Sequence, residues 1–309
     1  MRSPWTRRRF LAGTSLAALA AAATPLRLWA IAPFERKPPA RLRLSLAAYS
    51  FRDDFIDASH ERPAPPKHPI NLFQFVDYCA DHGCDGAELT GYYFPPKVDT
   101  AFLLKLRRHA FLKGVSISGT AVGNAFTHPA GSMRDEQMQY VKQWIHNASV
   151  LGAPHIRVFA GDTSSGMSKA DAKKHCIEAL EECAALAGQH GIFLGIENHG
   201  GIVAEADDLL DIIHTVQSPW VGINLDTGNF HTEDPYADFE RCAPFAVNVQ
   251  LKAELRPRGK AQQAADLERM VGILRAANYQ GFVALEYESA ESPWKAVPPL
   301  LARLRELMG

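Results

Sequence analysis

Four polar residues stand at the ends of separate apolar stretches in this chain of 309 residues: Glu197, Asp226, Gln250 and Glu286. Three carboxylates at one point repel one another, so protons or a bound cation must neutralise them. Carboxylates with an amide oxygen suit a hard divalent cation, Mn²⁺ or Mg²⁺ before Co²⁺ or Zn²⁺. We predict that the four residues converge on one metal ion. The alternative is that each acid is separately solvated or salt-bridged where its loop begins.

A divalent cation at such a site would support proton transfer at carbon. It polarises a carbonyl and an adjacent hydroxyl, which lowers the pKa of the proton on the α carbon. A carboxylate then removes that proton and leaves a metal-stabilised enediolate. Reprotonation on the opposite face is epimerisation, reprotonation at the neighbouring carbon is aldose–ketose isomerisation, and loss of a β-leaving group is elimination. The ligands alone do not choose among these reactions.

Six further residues are candidates for contact with the substrate. His199 lies two positions after Glu197, and Lys252 lies two positions after Gln250. We predict both as catalytic proton shuttles, with a structural hydrogen bond as the alternative. Arg157 is expected either to bind substrate oxygens or to pair with Glu88. The predicted substrate-binding residues are Glu88, Asn124, Arg157 and Asn229.

A β-rich stretch followed by a helical pattern occurs eight times after residue 41. The predicted strands are residues 42–48, 86–89, 115–120, 155–159, 193–197, 221–225, 247–251 and 283–287. Amphipathic helical patterns cover residues 71–82, 136–151, 169–190 and 264–277. Glycines at positions 83, 114, 191 and 281 have the sequence positions of helix C-caps.

Alternating strands and helices predict a parallel sheet, and eight units predict a single-domain α/β fold, the closed (β/α)₈ TIM barrel, over residues 41–309. A doubly wound sheet is less favoured because no G-x-G-x-x-G follows the first strand. Active sites of such barrels lie at the C-terminal ends of the strands. The candidate residues stand at those ends.

The first thirty residues have the features of a signal peptide. Thr6 to Gly13 reads TRRRFLAG and precedes a short apolar run, as in a twin-arginine (Tat) signal. Residues 31–40 are predicted to be a linker. Residues 1–30 hold five arginines and no acid or lysine, so their removal changes the formal charge from −1 to −6. We expect an exported, periplasmic protein without a membrane span, and a chain of this charge is a poor candidate for binding nucleic acid.

Several segments together resemble the sugar phosphate isomerase/epimerase family, the xylose-isomerase-like TIM barrels. They are residues 196–201 (IENHGG), 225–230 (LDTGNF), 249–252 (VQLK), 156–161 (IRVFAG) and the terminal 285–286 (LE). The resemblance covers residues 41–309. It implies that Glu197, Asp226, Gln250 and Glu286 bind one divalent metal, and that Glu197 and Glu286 also serve as acid and base on opposite faces of the substrate.

Two residues depart from the pattern of the ketose 3-epimerases in that family. Those enzymes usually have His where this chain has Gln250 and Asn229. Gln at position 250 resembles the dehydratase branches of the family. We therefore predict an exported metal-dependent sugar isomerase or epimerase. The alternatives are a lyase or dehydratase acting on a 3-keto-glycoside or keto-polyol, and a non-catalytic sugar-binding barrel. A homo-oligomer is left open.

The loops after the strands bear on the substrate. Residues 286–291 are acidic and residues 253–260 lack a glycine cradle, so we expect a non-phosphorylated sugar or keto-sugar. Residues 53–69 form a long loop that is a candidate lid. The aromatic run 92–94 is expected either to stack on a sugar ring or to pack against that loop.

Overall fold

The computed structural model describes residues 31–57 and 65–309. The predicted signal peptide, residues 1–30, lies outside the described residues, as does the middle of the candidate lid, residues 58–64. Among the described helices, none has both the length and the apolar character that crossing a bilayer requires.

Eight parallel strands form a closed barrel, which confirms the predicted fold. They are β1 (Arg41–Ala47), β2 (Gly86–Thr90), β3 (Ser116–Ala121), β4 (His155–Phe159), β5 (Phe193–Glu197), β6 (Val221–Asp226), β7 (Ala246–Leu251) and β10 (Gln280–Leu285). Their order around the barrel is β1-β10-β7-β6-β5-β4-β3-β2. Between β7 and β10 the chain forms a small antiparallel pair, β8 (Glu254–Leu255) and β9 (Gln263–Ala264).

Helices lie between the strands and cover the outside of the barrel. They are α1 (Leu72–Asp81), α2 (Thr100–Leu112), α3 (Ser132–Leu151), α4 (Lys169–Gln189), α5 (Ala206–Thr215), α6 (Pro235–Cys242), α7 (Leu267–Ala276) and α8 (Pro293–Met308). α7 begins three residues later than predicted because residues 263–264 pair with β8 instead. Strands buried on both faces explain the nearly continuous apolar runs in the sequence.

β10 covers residues 280–285, whereas the predicted strand is 283–287. The observed strand therefore begins three residues earlier and ends two residues earlier than the predicted one. The left-handed turn that precedes it is made by Asn278, at φ 50°, and not by Gly281. Gly281 lies within the strand, where a Cβ would come within 2.7 Å of the Tyr279 hydroxyl oxygen. The predicted C-cap is therefore wrong at this position, whereas Gly83, Gly114 and Gly191 have the expected positive φ. As a consequence, Glu286 follows the strand and belongs to the rim of the barrel.

The segment predicted as a linker, residues 31–40, packs against the N-terminal end of the barrel. The ring of Phe34 meets that of Phe193 edge-to-face, with centroids 5.9 Å apart. The Arg36 guanidinium donates a hydrogen bond to the carbonyl oxygen of Ala246, the first residue of β7. The segment therefore covers part of the N-terminal end of the barrel.

Candidate active site

The predicted metal ligands lie together at the C-terminal rim of the barrel. Glu197 and Asp226 are the last residues of β5 and β6, Gln250 is next to last in β7, and Glu286 follows β10. All four side chains are buried. Because parallel strands of a barrel end at one rim, four neighbouring strand ends bring these groups around one opening.

Three neighbours hold Glu197 in place. Its Oε2 lies 3.0 Å from Nε of Arg157, while Oε1 lies 2.8 Å from Nδ1 of His199 and accepts a hydrogen bond of 2.9 Å from Nδ2 of Asn229. Burial by itself would raise the pKa of Glu197. The positive charge of Arg157 and the hydrogen bond from His199 outweigh burial and hold that pKa below its ordinary value.

Arg157 pairs with Glu197, not with Glu88 as one of the two expectations had it. It is buried, its guanidinium carbon lies 3.9 Å from the centre of the Phe159 ring, and Nη1 donates to the carbonyl oxygen of Val122 at 3.3 Å. With these partners the guanidinium has little freedom to turn toward a substrate. Arg157 therefore holds the Glu197 carboxylate and lowers its pKa.

Lys252 lies at the centre of the remaining carboxylates. Its Nζ is 3.4 Å from Oδ2 of Asp226 and 3.2 Å from Oε2 of Glu286, and it also forms an ion pair with Glu288. Burial would lower the pKa of Lys252, but the three carboxylates outweigh burial and raise it well above its ordinary value. The ammonium group is therefore a fixed positive charge within the site.

The two acids beside Lys252 have raised pKa values because they are buried. The pKa of Asp226 is raised to about 6, and that of Glu286 to about 7, although the ammonium of Lys252 works in the opposite direction in both cases. Glu197 raises both pKa values further through its negative charge. Glu197 and Glu286 therefore differ in their affinity for a proton, despite being the same residue type at one opening.

Gln250 belongs to a closed ring of four buried polar side chains. Its Nε2 donates to Glu88 Oε1 and its Oε1 accepts from Asn224 Nδ2, both at 2.6 Å. Asn248 Nδ2 completes the ring by donating to Glu88 Oε2 at 2.6 Å and to Asn224 Oδ1 at 2.8 Å. Both ends of the Gln250 amide are therefore engaged, which places it in the floor of the site.

Two predicted substrate ligands form hydrogen bonds within the protein. Glu88 has no exposed surface and gives both oxygens to the ring around Gln250; burial raises its pKa to about 7. The amide of Asn124 both donates to and accepts from the backbone of Phe159, at 3.0 Å each. Asn124 thereby ties the chain after β3 to the end of β4. Asn124 also lines the cavity beside His199, and Asn229 lines the cavity beside Lys252.

The sequence analysis missed two residues of the site. Glu288 pairs with Lys252, and Asn198 holds the backbone of Asp226 through hydrogen bonds of 2.8 and 2.9 Å. A signal for Glu288 was present, because it follows Glu286 by two residues as Lys252 follows Gln250.

The opening continues into two cavities on either side of this cluster. One, of about 410 Å³, lies beside His199 and is lined also by Thr127, His128 and Asp162. The other, of about 210 Å³, lies beside Lys252 and Glu288. The aromatic run does not line these cavities: Tyr93 stacks on Phe55 with ring centroids 4.3 Å apart, and Phe94 packs on Trp144. For these two rings the structure shows packing.

The donor types fit a divalent cation, and the placement fits at two of the four positions. Asp226 Oδ2 and Glu286 Oε2 are buried oxygens that receive no hydrogen bond, and both are directed at the ammonium of Lys252. Glu197 and Gln250 are bound to other partners. Across residues 31–57 and 65–309, no three acidic, imidazole or thiol groups are gathered closely enough for a metal ion. A divalent ion at Asp226 and Glu286 would require the Lys252 side chain to move.

The fold and the site together define a (β/α)₈ barrel with a cluster of buried carboxylates at its C-terminal rim. Residues 76–307 match the family model described as the xylose isomerase-like TIM barrel, and the chain belongs to this family. No curated protein matches the chain by sequence.

Solved structures of similar fold include an epimerase of a keto-glucoside and a probable dehydratase. The apo form of 3-keto-D-glucoside 4-epimerase YcjR from E. coli aligns with a TM-score of 0.62 and 17% identity, over 86% of this chain and 100% of that one. The probable 3-DHS dehydratase AsbF from Bacillus anthracis aligns with a TM-score of 0.60 and 16% identity, over 86% and 98%. The IOLI protein with a bound zinc atom aligns with a TM-score of 0.67 and 16% identity, over 86% and 96%. At these identities the likeness concerns the fold.

Proposed function

We propose that this protein is a sugar isomerase or epimerase that moves a proton at a carbon beside a carbonyl group. The observation that carries the proposal is the pair Glu197 and Glu286, two buried carboxylates at strand ends three positions apart around the rim. Each has a cation beside it, Arg157 for the first and Lys252 for the second. Two carboxyl groups in different environments can take the roles of base and acid on one substrate.

The roles follow from the partners of each acid. Glu197 receives hydrogen bonds and the charge of Arg157, so it stays ionised and can accept a proton from carbon. Glu286 is buried among other acids, so it holds a proton more readily and can return one. A shift of the returned proton to the neighbouring carbon gives isomerisation, and its return to the other face gives epimerisation.

A divalent cation, when bound, would polarise the carbonyl and the adjacent hydroxyl of the substrate. Asp226 and Glu286 would hold it through the oxygens that face Lys252, with Glu197 and Gln250 as the further donors that the family resemblance implies. The solved IOLI structure has a zinc atom within the same fold, which supports testing several metals.

The charges around the opening favour a substrate without phosphate. Asp226, Glu286 and Glu288 surround one ammonium group, and Arg157 is already paired with Glu197. A dianionic phosphate brought to this cluster would meet uncompensated negative charge. We therefore propose a neutral sugar or keto-sugar as substrate.

The test is exchange of substrate hydrogen with solvent in D₂O, followed by NMR. The protein, supplied in turn with Mn²⁺, Mg²⁺, Co²⁺ and Zn²⁺, is expected to incorporate deuterium into a member of a panel of ketoses and 3-keto-glycosides. Glu197→Gln should slow exchange roughly 10²–10⁴-fold. Glu182→Gln, which removes an acid paired with Arg134 and Lys142 on the surface, should not. Absence of exchange with every metal, or a fully active Glu197→Gln, would contradict the proposal and favour a sugar-binding barrel.

His199 gives specific support to a second candidate, elimination from a 3-keto-glycoside or keto-polyol. Its side chain is about half exposed at the mouth, and its hydrogen bond to Glu197 raises its pKa, so the imidazolium can protonate a leaving group on that side. If elimination is the reaction, His199→Gln should abolish the unsaturated product detected by ultraviolet absorbance while deuterium exchange continues. If no unsaturated product forms with the wild type, the second candidate fails.

A further inference from the structure

The ammonium of Lys252 occupies the point on which two predicted metal ligands converge. Nζ lies within 3.4 Å of Asp226 Oδ2 and within 3.2 Å of Glu286 Oε2, and neither oxygen receives a hydrogen bond from any other group in the described structure. The Lys252 side chain is only 8% exposed. An organic cation thus already provides the charge that these two carboxylates need.

A divalent cation and this ammonium cannot use the same two oxygens at once. Both are positive, and at contact distance in a buried site they repel each other strongly because the protein interior screens charges weakly. Binding of the divalent ion therefore requires Lys252 to withdraw. The energy of breaking its ion pairs is subtracted from the affinity for the ion.

Glu288 provides the place to which Lys252 can withdraw. It is the third carboxylate paired with Nζ, and its side chain is 38% exposed. It lines the cavity beside Lys252 and also a further cavity of about 490 Å³, which Arg52 and His68 line as well. Glu288 is thus nearer to solvent than Asp226 or Glu286. A small rotation of the lysine side chain would retain this ion pair while leaving the deeper two oxygens open.

We propose that Lys252 is a displaceable internal counter-ion, which neutralises Asp226 and Glu286 in the metal-free protein and sets the affinity for divalent cations by moving to Glu288. The inference rests on the cation site of the proposed function but not on the sugar reaction. It gives Lys252 a role in metal selectivity beside any contact with substrate.

The experiment is calorimetric titration of Mn²⁺ into metal-stripped protein, without sugar, at one fixed pH. Lys252→Met should bind Mn²⁺ roughly tenfold more tightly than the wild type, or more, because no cation has to leave. Glu288→Gln should bind it more weakly, and this loss should be smaller when Lys252→Met is also present. Lys252→Arg retains a cation and should stay weak.

Thermal unfolding supplies a second readout. Without metal, Lys252→Met should melt below the wild type because its acids lose their counter-ion, and Mn²⁺ should raise its melting temperature by more. Lys173→Met is the matched control, since Lys173 also lies between two carboxylates, Asp208 and Asp211, but on the outer helices. It should leave Mn²⁺ affinity unchanged.

Equal or weaker binding by Lys252→Met, or no binding by either protein, would overturn the inference. Binding by Lys252→Met alone would support it, because exclusion by the lysine would then be complete. Since the titration contains no sugar, a protein that binds Mn²⁺ as expected but exchanges no deuterium would refute the proposed reaction and leave the role of Lys252 intact.

Discussion

At the scale of single residues, the partners of each acid decide its protonation. Glu197 has Arg157, His199 and Asn229 beside it, whereas Glu88 has only neutral amides as hydrogen-bond donors and no contact with solvent. Burial therefore dominates at Glu88 and raises its pKa to about 7. The pKa is therefore raised at Glu88 and lowered at Glu197, although both residues are buried glutamates.

Glu88 makes a prediction for stability against pH. Its pKa in the folded chain, about 7, exceeds the ordinary value of 4.5, so the folded state holds the proton more tightly than the unfolded state. The contribution of Glu88 to stability is therefore largest below pH 4.5 and declines as the pH rises through 7, by about 3 kcal/mol in all. Glu88→Gln should remove this decline.

Chemical denaturation of both proteins at a series of pH values from 5 to 8 measures the effect of Glu88→Gln. The difference in unfolding free energy should move in favour of the variant as the pH rises. Glu306→Gln, at an exposed acid near the end of α8, is the control and should not change the slope. Parallel curves for the wild type and Glu88→Gln would contradict the prediction.

At the scale of elements, neighbouring strands inside the barrel are fitted to each other by residue size. Gly119 of β3 faces the ring of His155 of β4, and a Cβ at position 119 would lie 1.9 Å from the imidazole Cε1. His155 is buried, and burial lowers its pKa to about 4, so the ring is a neutral space-filling group. The contact between β3 and β4 therefore requires glycine.

Gly119→Ala should destabilise the protein by about 1–3 kcal/mol or more, because buried histidine and strand must shift to admit the methyl group. Gly272→Ala is a matched change with the opposite expected sign. Gly272 lies in α7 with open space around the new methyl group, so alanine should stabilise the helix by about 0.5–1 kcal/mol. Denaturant unfolding measures the change in the free energy of unfolding for each of the two variants. Equal changes would refute the packing argument.

At the scale of the whole molecule, the chain before β1 closes the lower end of the barrel. Phe34 packs on Phe193, and Arg36 reaches the backbone of β7 and lies 5.0 Å from the centre of the Tyr279 ring. These contacts join the segment to β5, to β7 and to Tyr279, the residue before β10. A chain that starts at residue 41 loses them together.

A chain that starts at residue 41 should have a lower melting temperature than one that starts at residue 31. Phe34→Ala in the longer chain should reproduce part of the loss, about 1–2 kcal/mol for a half-buried aromatic ring. Glu35→Gln, in an exposed side chain of the same segment, should be neutral. Differential scanning calorimetry compares the four proteins, and an unchanged melting temperature on truncation would show that the segment is only a linker.

Export belongs to the same scale and is still a prediction from residues 1–30. If Arg7 and Arg8 form a twin-arginine signal, replacing both with lysine should leave uncleaved precursor inside the cell, while the same change at Arg2 and Arg27 should not. Cell fractionation and immunoblotting of the full-length chain measure the result. Equal export of both variants would contradict the prediction.

Much of the fold was predictable from the sequence because it depends on local patterns. Apolar strands with amphipathic helices between them occur eight times, and parallel pairing then leaves few arrangements other than the barrel. The rule that barrel sites lie at the C-terminal rim also placed Glu197, Asp226 and Glu286 correctly at one opening. These inferences needed only the order of residues along the chain.

Other features depend on distances between side chains from different strands, which no local pattern contains. The choice of Glu197 as the partner of Arg157, the ring that engages Gln250, and the three carboxylates around Lys252 arise only when β2, β4, β5, β6, β7 and β10 close into one barrel. The sequence determined which groups reach the rim. Tertiary structure decided which of them neutralise each other, because that depends on contacts a few ångströms long between strands far apart in the chain.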